Sequence, residues 1–244
     1  MLKPYDVNFC FPVPEKIEND RIALTPFVPV LHATLFLSQV NLFPAMFTYL
    51  PFGPFKSDSD FQSWMETRVQ HDPGCILFCV WDKTTTVPAA AMQVEDGAFA
   101  GIIGLLNSST DTLATEIGFV MVLPPFHHTH VASNATGLLL HYALEISVAP
   151  PSAQEESTVD IFKLTNGSPL GLRRVFWQTN ARNSASRRLA ERMGFEFEAT
   201  LRWDRVLAAD KPGNGRTTEM FGLCWDDWEG GARERVQQIM RRIE

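Results

Sequence analysis

Apolar positions along this chain change period several times, and each change marks an element. From Leu113 to Leu123 the residues are mostly apolar or β-branched, and Pro124-Pro125 stops the run. Proline cannot donate to a ladder, so this stretch predicts a strand that ends there. Beyond a short polar loop, Ala132, Ala135, Leu138, Leu139, Tyr142, Ala143 and Ile146 recur at helical spacing and predict an amphipathic helix. A strand feeding a helix through a tight loop is a candidate anion site. The first helical turn offers unpaired amides and the positive end of the dipole. The same pattern also serves as an ordinary crossover with no ligand.

The other elements fall on either side of this unit. Residues 1–20 are polar and Pro-rich and read as an extended surface segment. Arg21 to Val28 predicts a strand and Val30 to Gln39 a helix. Leu42 to Phe55 carries three prolines among its aromatics, so it is irregular. It serves either as a lid over a pocket or as packing beneath a loop. Ser57-Asp58-Ser59-Asp60 offers cap chemistry to a helix over Phe61 to Gln70. Cys75 to Trp81 and Ala98 to Leu106 predict strands that form an antiparallel meander with Leu113 to Leu123. Ser147 to Gly171 reads as a surface insertion.

Arg174 to Thr179 predicts another strand, and a helix starts at Asn183, with Ala185, Leu189 and Met193 on its buried face and Gly194 as its stop. Phe195 to Asp204 alternates cleanly. Phe195, Phe197, Ala199, Leu201 and Trp203 share one side, against Glu196, Glu198, Thr200, Arg202 and Asp204 on the other, which predicts a strand buried on one face. A hairpin loop, a strand over Glu219 to Trp225 and a charged, helix-prone tail complete the chain. The order predicts one α+β domain over residues 21–226, built on a mixed sheet, with a tail over residues 227–244.

Composition narrows the function. A formal charge of -7 argues against a nucleic-acid backbone as partner. The apolar runs are short and broken by proline, which predicts no membrane span. The first residues lack a basic flank followed by an apolar core, so a cytoplasmic location is expected. The cysteines match no zinc spacing, and Cys75 and Cys79 read as buried free thiols. Three histidines crowd the loop, but no Cys, Asp or Glu lies beside them, so no metal is expected.

Two motifs in this order carry a resemblance. They are Glu116-Ile117-Gly118-Phe119 leading into the loop, and Asn183-x-x-Ser186 followed by Glu191-Arg192-Met193-Gly194-Phe195. Together they resemble the GNAT acyl-CoA N-acyltransferases. The ribosomal-protein N-acetyltransferase branch is more similar still, and its fungal members often end in a sequence like Trp225-Asp226-Asp227-Trp228-Glu229. The resemblance implies a sheet of about seven mostly antiparallel strands flanked by helices, with a splayed central pair. It implies acetyl-CoA as co-substrate and an amine as acceptor, either a protein N-terminus or a small molecule, on a monomer or homodimer.

It also implies roles for residues. Val120, Met121 and Val122 would pair with the pantetheine amides, and His127, His128, Thr129, His130, Val131 and Ala132 would hold the pyrophosphate. Asn180 and Asn183 would contact the same cofactor. Glu116 would act as base and the Val120 amide would meet the oxyanion. The tyrosine that relatives use as acid falls on Ala190, so Ser186 takes that role. Two loop positions depart from the family pattern: His127 stands for Gln or Arg, and His130 for the first Gly. These departures leave a non-catalytic CoA-binding module as the alternative, and they suggest an imidazole on a CoA phosphate.

Overall fold

The structure is a computed structural model that describes residues 7–85, 93–94, 97–146, 161–207, 211 and 215–242. Its strands are β1 (Lys16–Glu18), β2 (Ile22–Pro26), β3 (Ile76–Asp82), β4 (Gln93–Val94), β5 (Gly97–Ser109), β6 (Ala114–Val122), β7 (Lys163–Thr165), β8 (Arg174–Asn180), β9 (Glu196–Val206) and β10 (Gly215–Cys224). Nine of them lie side by side in the order β7-β1-β2-β3-β5-β6-β8-β10-β9, and β4 pairs on β5. The fold is α+β as expected, but the sheet is wider than seven strands. The excess comes from β1 and β7, three residues each and too short to show a period. β1 lies in the segment read as surface, yet Ile17 is fully buried. β7 lies in the expected insertion, of which residues 147–160 fall outside the described residues.

All neighbours pair antiparallel except β6 and β8, which run parallel. A parallel pair needs a crossover, and α3 (Val131–Leu144) forms it. This helix is more deeply placed than its amphipathic pattern suggests, since every residue in it except Ala132 is buried. The sheet covers one side and α6 (Arg233–Arg241), whose Val236, Ile239 and Met240 are buried, covers the other. The helices touch closely at Gly137, where a Cβ would stand 2.3 Å from the Met240 sulfur. Polar groups inside this layer are bonded to each other, as burial demands. Asn19 Nδ2 donates to Asn134 Oδ1 at 2.8 Å, and Asn134 Nδ2 donates to the His130 carbonyl at 3.0 Å.

The other helices are α1 (Pro29–Val40), α2 (Asp58–Met65), α4 (Ser184–Arg192) and the single turn α5 (Trp225–Asp227). Ser57 caps α2 by accepting from the Asp60 amide at 3.1 Å. Between α1 and α2 the aromatic stretch makes one 3-10 turn, Pro44–Phe47. Phe47 and Phe55 are buried and pack beneath it, while Met46, Tyr49 and Leu50 line a cavity.

Two local readings need correction. Ala185 is exposed, and Ala190 joins Leu189 and Met193 on the buried side of α4. Of the alternating apolar side, Phe195 is buried just before β9, but within the strand Phe197 is 54% and Trp203 68% exposed. β9 is the last strand of the sheet, and α4 touches it without burying Phe197 or Trp203. Alternation shows that two faces differ, not that a layer covers one of them.

Candidate active site

The site follows from where pairing stops. β6 and β8 match only at Ala114 with Arg174, Thr115 with Val175 and Glu116 with Phe176. Beyond Glu116 the two strands part, and each keeps its outer neighbour. On its other side β6 is bulged. Met121 faces Ile102 and Gly118 faces Gly104, so Phe119 and Val120 together oppose Ile103. Phe119 takes the left-handed conformation this needs, with φ 49°. Its ring is fixed from above by Phe52 and Trp64, at 5.0 and 5.4 Å between centroids. A glycine at 101 makes the close approach possible, since a Cβ there would stand 2.0 Å from the Met121 carbonyl oxygen.

The parted strands open a cavity of about 790 Å³. Val120, Met121 and Val122 form one wall, and Trp177, Asn180, Asn183 and Ser186 another. His127, His128, Thr129 and Ala132 lie at the mouth of α3. His130 and Val131 do not line it. Val131 is fully buried, and His130 Nε2 turns inward, 3.2 Å from Asp82 Oδ1. Burial alone would raise the Asp82 carboxyl. The His130 ring, the Thr85 and Thr84 hydroxyls and the Thr84 amide hold it well below the ordinary carboxylate range. His127 is also engaged, its Nε2 lying 2.8 Å from the Val122 carbonyl oxygen. Of the three loop histidines, His128 alone is exposed to the cavity without such a contact; its φ is 62°. The histidine at the family's glycine position, His130, has an ordinary helical φ of -63°, so no strain results there.

Glu116 lines a second cavity of about 230 Å³, which shares Leu50, Gly118, Phe119, Gln178 and Arg216 with the first. It is 5% exposed. Burial raises its carboxyl to about 7, against the opposing pull of a bond from Asn107 and of the Arg205 and Arg216 charges. Asn107 Nδ2 donates to Glu116 Oε2 at 2.6 Å and itself has φ 48°. A carboxyl poised near neutrality in a cleft is suited to exchange protons with a bound amine.

Across the larger cavity, Trp177 Nε1 donates to Ser186 Oγ at 2.9 Å, which leaves the hydroxyl proton free to be given elsewhere. Asn183 caps α4 by accepting from the Ser186 amide at 3.2 Å, and Asn180 accepts from the Arg182 amide at 2.9 Å.

Sequence reasoning missed several residues here. Arg188 and Arg192 lie one turn apart on the cavity side of α4, a spacing legible in the sequence. Arg235 reaches the cavity from α6, in a tail that offered no such sign. Asn107, Arg205 and Arg216 come to Glu116 only through strand pairing. Cys224, Asp226 and Asp227 bring metal-ligating atoms within 4.8 Å of one another, but Asp227 is engaged in capping the Cys224 amide, and none of the three lines either cavity.

Residues 21–196 match the Acetyltransferase (GNAT) domain family. No curated protein matches the sequence at a significant level. Among solved structures, a probable GNAT-family acetyltransferase from Chromobacterium violaceum superposes with a TM-score of 0.69 at 24% identity, covering 94% of this chain and 95% of its own. A GCN5-related N-acetyltransferase from Brucella melitensis gives 0.71 at 22% identity, over 94% of this chain and 86% of its own. A spermidine N-acetyltransferase from Vibrio cholerae, in complex with CoA and spermine, gives 0.60 at 14% identity, over 86% of this chain and 99% of its own. At these identities the likeness is one of fold.

Proposed function

This chain belongs to the Acetyltransferase (GNAT) domain family, and on that footing we propose that it moves an acetyl group from acetyl-CoA to an amine. The observation that carries this reading is the split between β6 and β8 with the buried carboxyl of Glu116 at its root. The residues present fit the cofactor. Val120, Met121 and Val122 border a cleft where strand pairing has ended, so their backbone is suited to hold pantetheine amides as an added strand would. His128, Thr129 and the first-turn amides of α3 are suited to phosphate. Arg188, Arg192 and Arg235 supply positive charge along the same cavity.

Acetyl-CoA would supply the acetyl group as a thioester. The chain's own residues do the rest. Glu116 takes the proton that the amine must lose. The Val120 amide, in the bulge of β6, is suited to the developing oxyanion. Ser186 gives its hydroxyl proton to the departing sulfur. In the balance a C–N bond forms, a C–S bond breaks, and one proton passes from nitrogen toward sulfur. The ribosomal-protein branch and its fungal members remain the sequence reading of where in the family the chain belongs.

The test pairs binding with turnover. Acetyl-CoA should raise the melting temperature, and thiol should be released over a panel of amines. Glu116→Gln should reduce turnover by about a hundredfold, the usual size of a lost general base, with CoA affinity kept. Stabilisation without thiol release from any amine would favour the non-catalytic module, for which His130 and Ala190 at family positions are the motive.

A further inference from the structure

The smaller cavity carries positive charge that its own walls leave unmatched. Arg216 stands on β10 with 7% of its surface exposed, and its Nε is buried without a hydrogen-bond partner. Among the described residues no atom of its guanidinium forms a hydrogen bond or an ion pair. A guanidinium has five N–H donors and stays charged, so leaving it buried and unpaired is costly. Burial, and then the neighbouring Arg205, oppose its charge, while Glu116 and Asp204 favour it from farther off. Arg205 Nε lies 3.4 Å from Asp204 Oδ2 without a formed hydrogen bond, and that carboxylate also accepts the Thr218 hydroxyl at 2.7 Å. Arg68 and Asp72 stand in the same wall.

We infer that Arg216, with Arg205 beside it, receives a carboxylate on the acceptor, so the substrate class is a small amine that bears a carboxylate: a free amino acid. The inference rests on the acetyl-transfer reading and narrows its acceptor. The chemistry of the pocket fits such a molecule at both ends. The amine meets Glu116, the carboxylate meets the guanidinium groups, and Leu50, Phe52 and Phe119 give its body apolar walls. A polyamine would meet Glu116 but bring a second positive charge to the arginines. Planar, two-point pairing of guanidinium with carboxylate also fixes the amine's direction.

Leucine is compared with isopentylamine, and phenylalanine with phenethylamine, each pair differing only in the carboxylate. In at least one pair the amino acid should give kcat/KM at least about tenfold higher, the size of a charge-assisted hydrogen bond to a buried group. Arg216→Gln should erase most of that ratio, mainly through KM, and Arg216→Lys should keep part of it. Loss of a charge near Glu116 also shifts that carboxyl, but equally for both members of a pair, and the amines' own basicities do not change, so the change in the ratio isolates recognition. A preference for the plain amines overturns the inference, as does an Arg216→Gln effect equal on both members or confined to CoA affinity. Calorimetry with CoA present reads amino-acid binding separately from turnover. Binding by wild type and not by Arg216→Gln, with no thiol released, keeps the inference and removes acetyl transfer.

Discussion

Glu116 shows how one residue's setting decides its use. The sequence marks it as a strand carboxylate, which could equally be a paired surface group. Burial at 5% exposure, with an amide donor from Asn107, raises it to about 7, the range a general base needs. The active form is the carboxylate, so turnover should rise as pH climbs through about 7 and level off above it. A profile flat from pH 6 to 8 would remove Glu116 as base. The same shift has an opposite consequence for stability. The folded-state value lies above the ordinary value of 4.5, so folding favours the protonated form. Its contribution is full below the unfolded value and is lost as pH rises through the folded one. Glu116→Gln should therefore melt higher than wild type at pH 8, by up to a few kcal/mol at about 1.4 per pKa unit. That gap should close toward pH 5.

Two elements meet at the loop before α3, and its histidines divide the work. His130 ties the start of the helix to the end of β3 through Asp82, which is buried and holds its charge. Removing the ring leaves that carboxylate with only the Thr84 and Thr85 groups, at a cost of about 1–3 kcal/mol. His130→Ala should lower the melting temperature, and adding Asp82→Asn should recover part of the loss. Strictly additive losses would show the pair to be uncoupled. In sequence these histidines formed one undivided cluster, because their spacing says nothing of Asp82, some fifty residues earlier. By contrast, the cap on α4 was legible: Asn183 precedes Ser186 at the spacing that lets a side chain reach the third amide.

Over the whole molecule a net charge of -7 surrounds a cavity edged by Arg188, Arg192 and Arg235. Such a cleft attracts a phosphorylated cofactor, and exposed arginines are screened by salt. Acetyl-CoA affinity should fall several-fold between about 0.05 and 0.5 M salt, as the screening length shrinks from roughly 14 to 4 Å. An affinity independent of salt would show that these side chains carry no phosphate. Arg235 also makes α6 part of the site, since the helix that buries Val236 and Met240 on α3 carries it to the cavity.

By itself the sequence determined the types of the longer elements, the strand–loop–helix at the centre, the two motifs that carry the family, and the cap of α4. All of these rest on near neighbours, where period and cap chemistry act within a few residues. Tertiary structure alone decided that β6 and β8 part after Glu116. It decided that β9 ends the sheet with its apolar side uncovered. It also brought Asn107, Arg205 and Arg216 to the carboxyl at the root of the split. Those outcomes depend on which strands pair and in what register, and pairing energy is shared among residues far apart in the chain.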